Sequence, residues 1–234
     1  MAVGFRHWTV LPHAPIEVLA PNLWRVEGQM GSYNKRVMVL ARLADGRILM
    51  HNAIALDESS MARLDAWGTV AAILVPNRFH RQDARIMHER YPTAKVFAPS
   101  GAIAAASRAT PCAGTYADIP VDATISLREL HGIGAREGVL LVRSSDGLSA
   151  VFCDTLLNLP RMTGLLGLLL HPTGMLSVPR PTSLWFAKDR PALRASLERV
   201  AAEDGLVRVI PGHGDVVASG AVERLREAAE RLGA

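Results

Sequence analysis

The sequence predicts an α/β protein arranged as a four-layer αββα sandwich, and three observations lead there. Two β-rich sets of segments succeed one another, each set carries helices, and a strand–helix–strand order in the first half implies a parallel crossover. The 234 residues, 49% of them hydrophobic, supply ample apolar material for a core. No repeat, low-complexity tract or linker divides them, so a single domain over 1–234 is expected.

In the first half, "RVMVLARL" and "RILMHN" flank an Asp45-Gly46 turn, the turn chemistry a tight hairpin prefers. Asp57 can cap a helix whose Met61, Leu64 and Trp67 fall at helical spacing, with Gly68 as its stop. "VAAILVP" does not alternate, which predicts a strand buried on both faces. "QDARIMHERYP" follows as a helix closed by Pro92, and "AKVFAP" as the next strand. In such a crossover the functional loop lies at the carboxyl end of the first strand, here "LVPNRFHRQ".

"ATISLREL", "GVLLVRSS" and "LSAVFCD" make a second, largely antiparallel set, the last two joined across Asp146-Gly147. After Asp154, "RMTGLLGLLLHPTGML" is leucine-rich and broken by glycines. A buried or lid-like helix is expected there, with contact to a membrane or a partner as the alternatives. Asp189-Arg190-Pro191 opens an amphipathic helix with Leu193, Leu197 and Val200 on one face. "GLVRVIPGHGD" ends a strand in a glycine-flanked histidine, and Val222, Leu225 and Leu232 mark a terminal helix.

Composition excludes several function classes. The formal charge of +4 arises from scattered cations with no aromatic-basic cluster, so no nucleic-acid partner is expected. No stretch is long and apolar enough to span a membrane, and the first residues lack the apolar core of a secretory signal. A cytoplasmic protein without a membrane partner is expected. Cys112 and Cys153 form no CxxC pair, and no glycine pattern announces a nucleotide cofactor.

The chemistry-bearing candidates sit at strand ends, where α/β folds gather their sites. His51, His80, His131 and His213 each end or follow a predicted strand, as does Asp154. Imidazole and carboxylate together suit zinc or iron. His7, His13, His88 and His171 read instead as solvated, packing or helix-ending residues.

The order of these features resembles the metallo-β-lactamase superfamily: a hairpin, a strand with a His-containing loop, a strand ending in His, "CDTLLNLP", and finally "VIPGHGD". In that family the first loop reads HxHxDH. Here it reads "NRFHRQ" when Asn77 is aligned with the first His, and a one-residue slide recovers only His80 and Asp83. The phrases "LMHNAIALDE", "LVPNRFHRQ", "YPTAKVFAPSGA" and "PRPTSLWFAKDRPAL" resemble an uncharacterised subgroup in which PNxxH replaces that motif.

The resemblance implies a reduced site. His80, His131, Asp154 and His213 would hold one zinc or iron ion, which lowers the pKa of a coordinated water and so serves hydrolysis of a small ester, thioester or amide. Asp154 and Asp83 are the catalytic candidates, Asp83 as an orienter or general base, and His51 is a candidate ligand contact. The alternative is a metal-free binding protein in which Asn77, His80, Arg78, Arg81 and His213 line a pocket for a small anionic molecule. The leucine-rich segment then covers the pocket or forms the face of a homodimer.

Overall fold

The first sheet begins with a meander of β1 (Glu17–Ala20), β2 (Leu23–Met30), β3 (Asn34–Arg42) and β4 (Arg47–His51), and continues in parallel through β5 (Thr69–Leu74), β6 (Lys95–Ala98) and β7 (Gly114–Thr115). These elements come from a computed structural model that describes residues 4–30 and 34–232. The second sheet is laid out from β8 (Ile125–Glu129), β9 (Gly138–Ser144) and β10 (Gly147–Val151). After a short β11 (Leu157–Asn158), β12 (Leu206–Ile210) joins it parallel to β10, giving the order β12-β10-β9-β8. A final β13 (His213–Gly214) pairs with β11, placing Leu157 opposite His213.

Strand periodicity explains the four layers. On β3, Val37, Val39 and Ala41 point between the sheets, where they meet Leu140 and Val142 of β9 and Val151 of β10. Met38 and Leu40 point the other way, onto a layer holding α1 (Glu58–Trp67) and α2 (Ala84–Arg90) through Met61, Leu64 and Met87. The opposite faces of β9 and β10, with Val139, Leu141 and Ala150, pack on helices of the second half. Both sheets are therefore covered on both faces, and continuous apolar runs replace alternation. The predicted αββα sandwich is the observed one.

Local signals act where they stand in the sequence. The Asp57 carboxylate accepts the Ser60 N–H at 2.9 Å and caps α1. The crossover from β5 through α2 to β6 is parallel, and the segment 75–83 lies at its carboxyl end. After α3 (Ile103–Ala106) and the leucine-rich α4 (Gly164–Leu170), Asp189 caps α5 (Arg190–Ala201), whose Leu193, Leu197 and Val200 are buried. In α6 (Ala221–Glu230) Leu225 is buried, and Leu232 just beyond the helix joins the same core.

Two expectations need correction. His13 is packed rather than solvated: its Nδ1 lies 2.9 Å from the Ala14 carbonyl and its Nε2 accepts the Asp57 N–H at 3.0 Å. Helix α4, expected to be buried or lid-like, is not buried: it is seven residues long and apolar on every side, part of that surface stays exposed, and Leu166 and Leu170 face a cavity. Among the described residues no helix is long and apolar enough to cross a membrane.

Candidate functional site

At the carboxyl ends of β5, β10 and β12 three side chains converge. His80 Nε2 and Asp154 Oδ1 are 3.0 Å apart, His213 Nε2 and Asp154 Oδ1 3.1 Å, and the two Nε2 atoms 3.2 Å. The outer nitrogens of both rings are committed elsewhere. Asn52 donates its Nδ2–H to the Val37 carbonyl at 2.8 Å, which turns Oδ1 toward His80 Nδ1 at 3.0 Å. His213 Nδ1 faces the Lys35 carbonyl at 2.5 Å. Both contacts are acceptors, so each Nδ1 carries a proton; a ring with no second proton then presents its Nε2 lone pair to the cavity, and a ring with one donates Nε2–H to Asp154.

With both rings neutral, two imidazole lone pairs and a carboxylate oxygen point at one spot. Left alone they repel, and a proton or a cation must hold them together. Burial acts to raise the Asp154 pKa, but His80 and the hydrogen bonds from His213 and His80 outweigh it and hold the carboxyl well below its ordinary range. For His213, burial opposes charge while Asp154 favours it, and the net direction is upward.

The donor set fits a divalent metal. Zinc bonds of 2.0–2.1 Å in a tetrahedron separate neighbouring ligand atoms by about 3.3 Å, close to the observed triangle. Three protein donors leave one position open, as catalytic rather than structural zinc sites do. Cys153 Sγ is the other candidate donor, within 4.8 Å of the His80 and Asp154 donor atoms. Burial, followed by the Asp154 and Glu137 carboxylates, pushes its thiol well above the ordinary range. His213 Nε2, 3.1 Å from Asp154 Oδ1 and 3.2 Å from His80 Nε2, lies closer and is the better third donor.

The backbone explains why these residues meet. Gly212 passes so close to Cys153 that an added Cβ would lie 2.8 Å from the Cys153 Cα. Gly214 has φ +90°, and a Cβ there would lie 2.0 Å from the Asn158 carbonyl oxygen. The glycines flanking His213 thus let the final loop lie against the Asp154 segment. Asn52 adopts φ +58°, a conformation asparagine tolerates, and this aims its amide at His80.

Asn77 builds the other side. Its Oδ1 accepts the Phe79 N–H at 2.8 Å and the His80 N–H at 3.1 Å, closing the turn that delivers His80. Its Nδ2 donates to Asp154 Oδ2 at 2.8 Å. The second carboxylate oxygen is therefore met by an N–H donor and not by another ligand, which suits one ion rather than two.

Glu137 was missed by sequence reasoning, since one carboxylate before an apolar strand resembles a surface residue. It is buried, accepts the backbone N–H groups of Cys153, Asp154 and Thr155 at 2.9–3.1 Å, and so fixes the loop carrying Asp154. Burial first, and Asp154 second, push its carboxyl up to about 7 against the pull of the backbone donors.

Other expected site residues lie elsewhere. His131 is exposed, its backbone N–H is on Ser196 Oγ, and among the described residues it joins no cluster of metal-ligating groups. Asp83 forms a buried ion pair with Arg36 and does not line the cavity, so the structure gives its carboxylate a structural partner in place of the orienting or base role expected of it. His51 is buried with both ring nitrogens unpartnered, and burial, then His80, lowers its pKa to about 3. Arg81 donates to the Ala105 carbonyl, away from the cavity. Arg78 does reach the rim, its guanidinium 4.5 Å from the Phe79 ring centre and 5.7 Å from that of Phe186.

The triangle opens into a cavity of about 750 Å³. One wall is apolar, with Leu157, Met162, Leu166, Leu170 and Phe186, and Arg78, Arg136 and Lys35 supply positive charge. Lys35 Nζ is paired with Glu27 at 2.7 Å, so the two arginines are the more available cations.

No family model and no curated protein matches the sequence. Solved structures do match. One is the DIM-1 metallo-β-lactamase, with a TM-score of 0.65 at 12% identity over 94% of this chain and 99% of that one. The TMB-1 structure gives 0.62 at 13% over 96% and 100%. The metallo-β-lactamase FIM-1 from Pseudomonas aeruginosa, in its mono-zinc form, gives 0.60 at 12% over 93% and 96%. Two sheets between helical layers, with donors gathered at their strand ends, and these full-length structural matches lead to one conclusion: the chain has the metallo-β-lactamase fold.

Proposed function

We propose that the protein is a hydrolase of small esters, thioesters or amides using a single zinc or iron ion. The observation that carries the reading is the triangle of His80 Nε2, His213 Nε2 and Asp154 Oδ1, with each Nδ1 turned outward onto an acceptor oxygen. These three residues would hold the ion, which when bound acidifies water and polarises a carbonyl. Asn77 restrains Asp154 through Oδ2, and Glu137 restrains the backbone beneath it, so the carboxylate need not reorganise during turnover. The apolar wall excludes water from one side of the substrate, and Arg78 and Arg136 receive a negatively charged end.

Elemental analysis of protein purified without chelator or added metal tests this reading. About one equivalent of zinc or iron is expected, lost in a His80→Ala, His213→Ala variant, together with turnover of acyl ester or thioester substrates that chelation abolishes. No metal in either sample and none gained on adding zinc would refute it. The two arginines at the cavity, Arg78 and Arg136, which form no ion pair among the described residues, favour a second reading, a metal-free pocket for a small carboxylate or phosphate, which that outcome would support.

A further inference from the structure

We propose that the cavity mouth docks on an anionic lipid surface through α4 and the turn at 182–186. Neither feature is used by the triangle. Leu165 is 83% exposed, Leu168 58% and Leu169 42%, while Leu184 and Trp185 on the neighbouring turn are 56% and 65% exposed. Arg180 ties the two segments together: its Nη1 donates to the Leu168 carbonyl at 2.9 Å, and its own carbonyl accepts the Ser183 hydroxyl at 3.2 Å. The exposed side chains thus form one fixed apolar rim, whose inward members Leu166, Leu170 and Phe186 line the cavity.

The charge around this rim selects the partner. Residues 155–188 contain no Asp or Glu, the neighbouring Asp189 is engaged as the α5 cap, and Arg161, Lys188 and Arg190 are exposed beside the rim with no ion pair among the described residues. Leucines and a tryptophan ringed by cations suit the boundary between lipid headgroups and acyl chains. A second copy fits less well, because a two-fold interface would bring three cations against their own equivalents with one acidic neighbour, Asp189, already engaged as the α5 cap. Interfacial docking needs no spanning helix; it takes up the membrane contact that the sequence offered for this segment as the alternative to a buried or lid-like helix, against the expectation of no membrane partner. Substrate with an apolar tail would pass from the lipid directly along Leu166 and Leu170.

The test uses the intact protein with vesicles of phosphatidylcholine alone or with phosphatidylglycerol added, and requires neither metal nor turnover. Trp185 is the exposed tryptophan, since Trp8, Trp24 and Trp67 pack on the first-sheet core. Co-sedimentation with the anionic vesicles and a blue shift of emission are expected, with binding at least about tenfold weaker to phosphatidylcholine or in high salt. A Leu165→Glu, Leu168→Glu variant, with an unchanged melting temperature, is expected to abolish both signals. Failure of the wild-type protein to bind anionic vesicles would overturn the proposal. So would a dimer that this variant dissociates, which would assign the rim to a second copy.

Discussion

Asn52 Oδ1 lies 3.0 Å from His80 Nδ1, and that contact fixes which nitrogen of His80 faces Asp154 and His213. The amide cannot turn over without setting its oxygen against the Val37 carbonyl, which now receives Nδ2–H at 2.8 Å. A buried amide thus sets the tautomer of a candidate ligand. Asn52→Gly removes it while keeping a residue suited to φ +58°. Zinc affinity, measured by competition with a chromophoric chelator, should fall roughly 10- to 100-fold, and an unchanged affinity would deny Asn52 this role.

Glu137 satisfies three consecutive backbone N–H groups from inside the protein. Glu137→Ala leaves them buried without an acceptor, at roughly 1–3 kcal/mol for each group that water cannot reach. We expect urea unfolding to show a loss of about 3 kcal/mol or more, with Glu137→Gln losing less because it retains one acceptor oxygen.

Arg36 and Asp83 form an ion pair whose side chains are each only 1% exposed. Removing one partner strands a buried charge, so Asp83→Ala should cost about 3–5 kcal/mol of stability. A double Arg36→Met, Asp83→Leu variant should recover most of that loss in the same denaturation assay. If Asp83→Ala folds with wild-type stability but loses all turnover, the residue belongs to the catalytic machinery after all.

Asp57 offers a pH-dependent check on the architecture far from the cavity. Hydrogen bonds from Ser59 and Ser60 lower its pKa to about 2, below the value of about 3.9 expected in the unfolded chain. The folded state thus favours the carboxylate. Its stabilisation is complete above the unfolded value and is lost as pH falls through the folded one. The melting temperature of Asp57→Ala should lie below wild type at pH 7, with the gap shrinking between about pH 4 and pH 2.

The amino-acid sequence alone determined the layers. Strand patterns such as "RVMVLARL" and "GVLLVRSS", the Asp57 and Asp189 caps and the β5–α2–β6 order are local signals, and local physics carried them into the fold. It also placed His80, Asp154 and His213 at strand ends, without deciding which strand ends meet. Tertiary structure alone decided the rest, because ligation and burial depend on residues distant in the chain. His131 and His213 both end predicted strands, yet only His213 is brought against Asp154, by glycines that admit the Cys153 and Asn158 backbones. Asp83 looked available until Arg36, 47 residues away, met it in the interior. Glu137 looked like a surface residue until the loop at 153–155 folded over it. A side chain's chemical role is set by its partners across space, and one-dimensional spacing carries that information only where the backbone between partners is regular.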